Sequence, residues 1–225
     1  MRQVARSERE KALLLEELTH RTRNDLMMVS SALALQARSI GDRVAKSALD
    51  SALARIAVIT KAHERLGTAA GHRGFVELGG YVHALCDGLS TLLRDIRPIA
   101  LRVDAPALEV RSDQAVMIGL IVNELVTNAL KHAFPDERAG TIDVQVRQTD
   151  DGLQLVVADD GGGCPDLPSS GMGSRLVRML AAQYGGEVER GAGEQGGCRV
   201  RVTLRSIHVQ PSAGAGLAPA FGHAG

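Results

Sequence analysis

The sequence predicts an α+β protein in two parts: an N-terminal antiparallel helical hairpin that dimerises into a four-helix bundle, then an α/β sandwich. Three observations point there. Residues 3–37 and 43–66 carry apolar side chains at helical spacing, interrupted only by Ser39-Ile40-Gly41-Asp42. From Phe75 onward, short alternating segments interleave with helical ones. Between the two regimes, Gly67 to Gly74 has the composition of a linker.

Each element follows from its pattern. At about 100° per residue, Leu15, Leu18, Thr22, Leu26, Val29 and Leu33 share one stripe. Glu16, His20, Arg21, Arg23 and Asn24 lie on the opposite, polar face. Gly41 sits near a C-cap and Asp42 is an N-cap for the second helix. That helix offers Leu49, Ala52, Leu53, Ile56, Ile59 and Leu66 as its apolar side. A lone hairpin leaves much of this surface uncovered. Pairing with a second copy covers it; packing against the C-terminal part is the competing solution.

Beyond the linker, Phe75 to Leu93 reads as a short extended piece and a helix. Ile99 to Val103 and Leu108 to Val110 read as strands, and Ser112 or Asp113 caps a helix running to about Ala133, before Pro135. Thr141 to Arg147 and Leu153 to Ala158 alternate as strands around the turn Thr149-Asp150-Asp151-Gly152. Asp159 to Gly173 is a Gly/Pro/Ser-rich loop, and Ser174 to Tyr184 is helical. Glu187 to Arg190 and Cys198 to Leu204 form a last pair of strands. The helices then cover one face of an antiparallel-rich sheet. The division is a hairpin over 1–70, a sandwich over 71–205 and a disordered tail over 206–225.

Composition narrows the classes. The 225 residues carry 26 basic and 26 acidic side chains, no Trp and 2% aromatics, so the core must be aliphatic. The longest apolar run, Ala115 to Val122, is far short of the ~20 residues of a membrane span. The mixed-charge N-terminus has no signal-peptide apolar stretch. Cys86, Cys164 and Cys198 are far apart and odd in number, which argues against a disulfide framework and for packing or loop positions in a reduced, cytoplasmic protein. Residues 1–70 hold 12 basic and 8 acidic groups, and the rest hold 14 and 18. The basic charges are interspersed with acidic ones and no aromatic lies among them, so neither nucleic acid nor membrane insertion is expected.

Three segments can carry chemistry. In Ile121 to His132, the residues Glu124, Asn128, Lys131 and His132 share one helix face. A carboxylate, an amide oxygen and two potential cations on one ridge suit a Mg²⁺–polyphosphate ligand; alone they are equally a solvated face. In Val156 to Pro165 an apolar strand delivers Asp159 to its end, and Gly161, Gly162 and Gly163 follow. Such a carboxylate can accept a hydrogen bond from an exocyclic amine such as that of adenine. In Ser169 to Val177, Gly171 and Gly173 open a helix whose free N–H groups suit phosphate oxygens.

In order and spacing, residues 113–204 resemble the ATP-binding domain of the GHKL superfamily. Asn123-Glu124-x-x-x-Asn128-x-x-Lys131-His132 is similar to its N box, Asp159-x-Gly161-x-Gly163 to its G1 box, and Gly171-x-Gly173 to its G2 box. Glu17-Leu18-Thr19-His20-Arg21-Thr22-Arg23-Asn24-Asp25-Leu26 resembles the phosphoacceptor motif of the HisKA_2 class of histidine kinases. The related HWE group is marked by a Trp-x-Glu element, which a chain without Trp lacks.

The resemblance implies roles. His20 would accept the γ-phosphoryl group of ATP. Glu124 would polarise the imidazole or a Mg²⁺-bound water, Asn128 and Glu124 would ligate Mg²⁺, and Asn123, Lys131 and His132 would stand near the nucleotide. Asp159 would read adenine N6, while Gly161, Gly163, Gly171 and Gly173 would shape a short lid. Asn24, one turn after His20, would orient water against a phospho-Asp. The partner implied is the receiver domain of a separate response regulator, with a homodimer and a separate sensor protein as further partners, in bacterial stress or light signalling. Thr19, Arg23, Asp25 and Met27 depart from the motif, Asp160 replaces the usual Asn of the G1 box, and Cys198 stands where relatives often place Thr near adenine. Three rivals stay open: a phosphatase-dominant regulator, a non-catalytic docking module and a serine kinase of the anti-sigma type.

Overall fold

The computed structural model describes residues 75–91, 98–135, 138–164, 172–194 and 196–211, with Leu33 and scattered positions between 41 and 60. The hairpin as a whole, with His20 and Asn24, lies outside the described residues, as does Gly171. Within the second expected helix, Ala45, Lys46, Leu49, Ala52, Leu53, Ile56 to Val58 and Thr60 are helical. Asp42 caps it as expected: its Oδ1 accepts the Ala45 N–H at 3.3 Å.

The remaining elements run β1 (Phe75–Glu77), α1 (Leu78–Thr91), β2 (Ile99–Asp104), β3 (Leu108–Arg111), α2 (Ser112–His132), β4 (Gly140–Thr149), β5 (Gly152–Asp159), α3 (Met172–Gln183), β6 (Glu187–Ala192), β7 (Cys198–Leu204) and β8 (Val209–Pro211). Five strands form one sheet in the order β2-β4-β5-β7-β6. Only β2 is parallel to its neighbour; the other pairs are antiparallel. Alternation sets the faces. Ile142, Val144 and Val146 of β4 are buried, whereas Gln145 and Arg147 on the opposite face are exposed. The three helices cover the apolar face, with α2 against β4 and β5, and α3 against β6 and β7.

Two details differ from expectation. The N-cap of α2 is Arg111, not Ser112 or Asp113. Its backbone N–H donates to Gln114 Oε1 at 3.2 Å, and Asp113 instead pairs with the Arg111 guanidinium at 3.1 Å. The Gln114 side chain satisfies the terminus, leaving Asp113 free to turn outward. Residues 209–211, expected in a disordered tail, form β8, which pairs antiparallel with β3 and completes a small second sheet, β1-β3-β8. Val209 opposite Val110 gives that pairing apolar surface to cover.

The helix before the linker reaches this core. Val58 is fully buried and its carbonyl accepts a hydrogen bond from Tyr81 Oη at 3.4 Å. Tyr81 lies across Gly119 of α2, where a Cβ would stand 2.2 Å from the hydroxyl oxygen. Gly119 is therefore a slot for the ring, and it explains the glycine inside an otherwise apolar helix. Gly119→Ala overpacks this contact and should cost about 1–3 kcal/mol of stability, despite the better helix propensity of Ala. Urea denaturation checks this, and adding Tyr81→Phe, which deletes the nearest atom, should recover part of the loss.

Candidate functional site

A cavity of about 440 Å³ opens between α2, α3 and the β5-β7-β6 end of the sheet. Its apolar lining comes from Leu125 and Ala129 of α2, Val157 of β5, Val177 of α3, Val188 of β6 and Val200 of β7. Polar groups stand around this slot: Asn128 and His132 on α2, Ser174 and Arg178 on α3, Asp159 at the end of β5, and Arg190 on β6. A mostly apolar recess with a few convergent polar groups is the usual form of a small-molecule site.

Asp159 is the most constrained of them. Only 8% of its surface is exposed. Oδ1 accepts two backbone N–H groups, Gly161 at 3.0 Å and Cys198 at 3.1 Å. No described residue hydrogen-bonds Oδ2, so one carboxylate oxygen is fixed and the other is left as an acceptor. Burial pushes the carboxyl pKa above its ordinary value of 3.8, against the pull of the two N–H donors and Arg190 and with a further push from Asp160. Asp160 itself turns the other way: its Oδ1 accepts the Thr141 N–H at 2.8 Å, and its carbonyl accepts from Arg138. A carboxylate in place of Asn thus serves the start of β4, not the cavity.

The glycines seat the loops on α2. A Cβ on Gly161 would meet the Ala133 carbonyl oxygen at 2.3 Å, and the Gly162 N–H donates to that same oxygen at 2.9 Å. A Cβ on Gly173 would stand 1.5 Å from Glu124 Oε1. Only glycine lets the first turn of α3 rest on that buried carboxylate.

The structure brings Asn128, His132, Asp159, Gly163 and Gly173 to one cavity. Lys131 is exposed at the end of α2, beside the opening residues but not lining it. Asn123 is 2% exposed, does not line the cavity, and its Oδ1 has no hydrogen-bond partner among the described residues. It stands five positions before Asn128, which turns it toward the core side of the helix. Glu124, expected as a ligand and polarising base, is buried under Gly173 and likewise does not line the cavity. Arg178 and Arg190 went unrecognised in the sequence. Their spacing was readable: Arg178 follows Ser174 by one helical turn, and Arg190 alternates with Val188 on one strand face. The cysteines are a correction, because Cys164 and Cys198 are joined by a disulfide while Cys86 is free and buried.

Two family models cover most of the chain. Residues 113–207 match HATPase_c, the histidine kinase-, DNA gyrase B- and HSP90-like ATPase. Residues 17–93 match HisKA_2, described as histidine kinase. The chain belongs to the HisKA_2 histidine kinases. Its relatives include the blue-light-activated histidine kinase 2 of Erythrobacter litoralis, 32% identical over 77% of this chain and 52% of that protein. The sensor histidine kinase PdtaS of Mycobacterium tuberculosis is 28% identical over 75% of this chain and 34% of that protein. The chain thus spans about half of the length of the first relative and about a third of the second. Among solved structures, the histidine kinase domain of the Erythrobacter litoralis EL346 blue-light-activated kinase superposes with a TM-score of 0.63 at 27% identity, over 87% of this chain and 94% of that one. The cavity-lining residues of α2, β5, α3, β6 and β7 all lie within the segment that matches the ATPase model.

Asp159 makes the recognition of this kinase site testable. In Asp159→Asn, the two backbone donors keep the amide oxygen, and the amide nitrogen then faces the amine of adenine. Donor meets donor, and ATP affinity should fall about 10–100-fold, the value of a hydrogen bond to a charged acceptor. The parent protein should lose ATP affinity on acidification at a pH above the ordinary aspartate range, since the raised pKa protonates the acceptor early. The stability sign is opposite. A raised folded-state pKa means that the protonated form favours folding, and this contribution disappears as pH rises through that pKa. At neutral pH Asp159→Asn should therefore melt no lower than the parent, with any advantage shrinking in acid. Calorimetric ATP titrations and thermal melts across pH check both.

Proposed function

We propose that this chain is the catalytic core of an ATP-dependent protein-histidine kinase that phosphorylates itself on His20 and passes the phosphoryl group to an Asp of a response regulator receiver domain. The observation that carries the reading is Asp159, with one oxygen fixed by two backbone donors and the other left as an acceptor beside a valine-lined slot. An adenine ring fits such a slot, with its amine toward Oδ2. The triphosphate then extends toward the N-terminus of α3, where Gly173 and Ser174 offer helix-end N–H groups, with Arg178 one turn along.

Mg²⁺ suits this arrangement. Asn128 offers a half-buried amide oxygen to the cavity, a hard ligand for an ion that keeps most of its waters and takes phosphate oxygens for the rest. When bound, the ion would neutralise charge on the phosphates. Glu124 acts in this reading as a positioning residue: its carboxylate holds the first turn of α3 in place. Lys131 and His132 supply donors near the phosphate end. Catalysis consists mainly of alignment and charge neutralisation.

In the transfer, the unprotonated ring nitrogen of His20 attacks the γ-phosphorus. The bond to the bridging oxygen breaks, ADP leaves, and the imidazole proton goes to solvent. An unperturbed pKa near 6.5 keeps that nitrogen unprotonated near neutral pH. The polar stripe that carries His20 leaves the apolar stripe for a second copy, so the working form is a homodimer. Among the described residues no helix is long and apolar enough to cross a membrane, in keeping with a cytoplasmic site of action. A separate sensor protein is one source of the signal. Asn24, one turn beyond His20, supports a second activity on the same partner, removal of phosphoryl from the regulator's Asp.

Labelled ATP with Mg²⁺ tests the reading. The parent protein should acquire an acid-labile, base-stable label; His20→Ala should abolish it, and Asn128→Ala should reduce it at least ~100-fold, the scale expected when a positioned phosphate or metal contact is removed. An acid-stable label surviving in His20→Ala would mean a serine kinase instead. A regulator phosphorylated beforehand should lose its label faster with the parent than with Asn24→Ala.

A further inference from the structure

The mechanism uses no cysteine, yet Cys198 lines its cavity and is bonded to Cys164. Cys86 stands apart from them. It is buried in the core, and burial with Asp87 nearby pushes its thiol up to about 12, so it is inert. Cys164 and Cys198 are 34 residues apart in the chain, but their Cα atoms are 4.5 Å apart and their sulfurs are bonded. That separation lies inside the range that two cysteines bridge without backbone movement, about 4.4–6.8 Å. Cys198 opens β7, is 7% exposed and lines the cavity. Its N–H is one of the two donors that fix Asp159. Cys164 follows Gly163 directly in the loop after Asp159 and is only half-buried. Arg190 Nε stands 3.3 Å from Cys198 Sγ.

We propose that Cys164 and Cys198 form a reversible thiol-modification site at the edge of the nucleotide cavity, oxidised by a small-molecule disulfide, and that the closed form binds ATP more tightly. The affinity half rests on the ATP reading above; the modification half does not. Cys164 carries the reachable sulfur. Its thiolate attacks one sulfur of the small disulfide, forming a mixed disulfide and expelling one small thiolate. The Cys198 thiolate, stabilised by the Arg190 guanidinium, then attacks Cys164 Sγ and expels the second. Two protein thiols and one small disulfide become one protein disulfide and two small thiols, which carry off both protons. An excess of small thiol reverses both steps.

The consequence for affinity follows from what the cross-link encloses. The closed ring contains α3 and β6, and hence Gly173, Ser174, Arg178, Val188 and Arg190 of the cavity. It also ties the loop after Gly163 to the strand that holds Asp159. Fewer arrangements of these walls remain, so less ordering is left for the nucleotide to impose.

The test uses the full chain, equilibrated in buffers of glutathione and glutathione disulfide at graded ratios. Alkylation of remaining thiols, digestion and mass spectrometry should find a Cys164–Cys198 cross-linked peptide in oxidising buffer, with two glutathiones released per chain. The dissociation constant for ATP should be several-fold lower in the oxidised protein than in the reduced one. Cys164→Ser should show one ATP affinity in both buffers, and Arg190→Gln should cross-link several-fold more slowly. No cross-linked peptide, or a mixed glutathione disulfide that persists, would overturn the modification site. Equal affinities in the two states, or a weaker oxidised form, would overturn the affinity half. A cross-link with no ATP binding in either state would uphold the modification site and sink the ATP reading with its affinity consequence.

Discussion

Everything at the nucleotide end depends on a carboxylate held at the end of a buried strand. Asp159 closes β5, the central strand of the five, and its Oδ1 gathers N–H groups from the loop on one side and from β7 on the other. An ionised side chain in that position opposes folding, as its raised pKa records. It persists because the surrounding backbone is arranged to meet it. The loop after it is pinned on Ala133, and the strand beside it begins at Cys198. The site exists where three separately made elements end at one point.

The helix Ser112–His132 performs three tasks on three faces. One face buries Ile118, Ile121, Val122 and Val126 in the core. Another presents Leu125, Asn128, Ala129 and His132 to the cavity. Between them, Glu124 supports the first turn of α3 through Gly173, and Gly119 accepts the Tyr81 ring that also hydrogen-bonds the helix before the linker. A displacement of this helix would move the nucleotide wall, the α3 turn and the Val58 contact together. One helix thus touches, directly or through Tyr81, both the cavity and the segment around Val58.

What the sequence revealed, and what it hid, follows the range of the interactions. Local signals were sound: alternation over Thr141 to Arg147, the apolar run into Asp159, the glycines after it, and the cap at Asp42 all correspond to observed elements. Each is set by neighbours within a few residues. The misreadings involve distant partners or closely spaced rivals. Val209 to Pro211 becomes a strand because β3 needs an edge partner about a hundred residues earlier in the chain. Cys164 and Cys198 meet only because the loop after β5 folds back beside the start of β7. Arg111 takes the cap from Ser112 because a glutamine three residues on can reach its N–H.

The scarcity of aromatic residues acquires a functional meaning at the cavity. In a chain with 2% aromatics and no Trp, the described lining of the slot contains no Phe or Tyr. Its walls are instead Val157, Val177, Val188 and Val200, with Ala129 between. Valine is stiff at χ1, so a wall of valines keeps its shape without a ligand and loses little side-chain freedom when one binds. Such a wall grips a flat heterocycle by shape and cannot tell one base from another. In the proposed ATP reading, discrimination falls on the polar groups around the slot, Asp159 above all, which must be an ionised acceptor. An aliphatic cavity and a buried, backbone-clamped aspartate would then be two halves of one solution, and neither would select adenine alone.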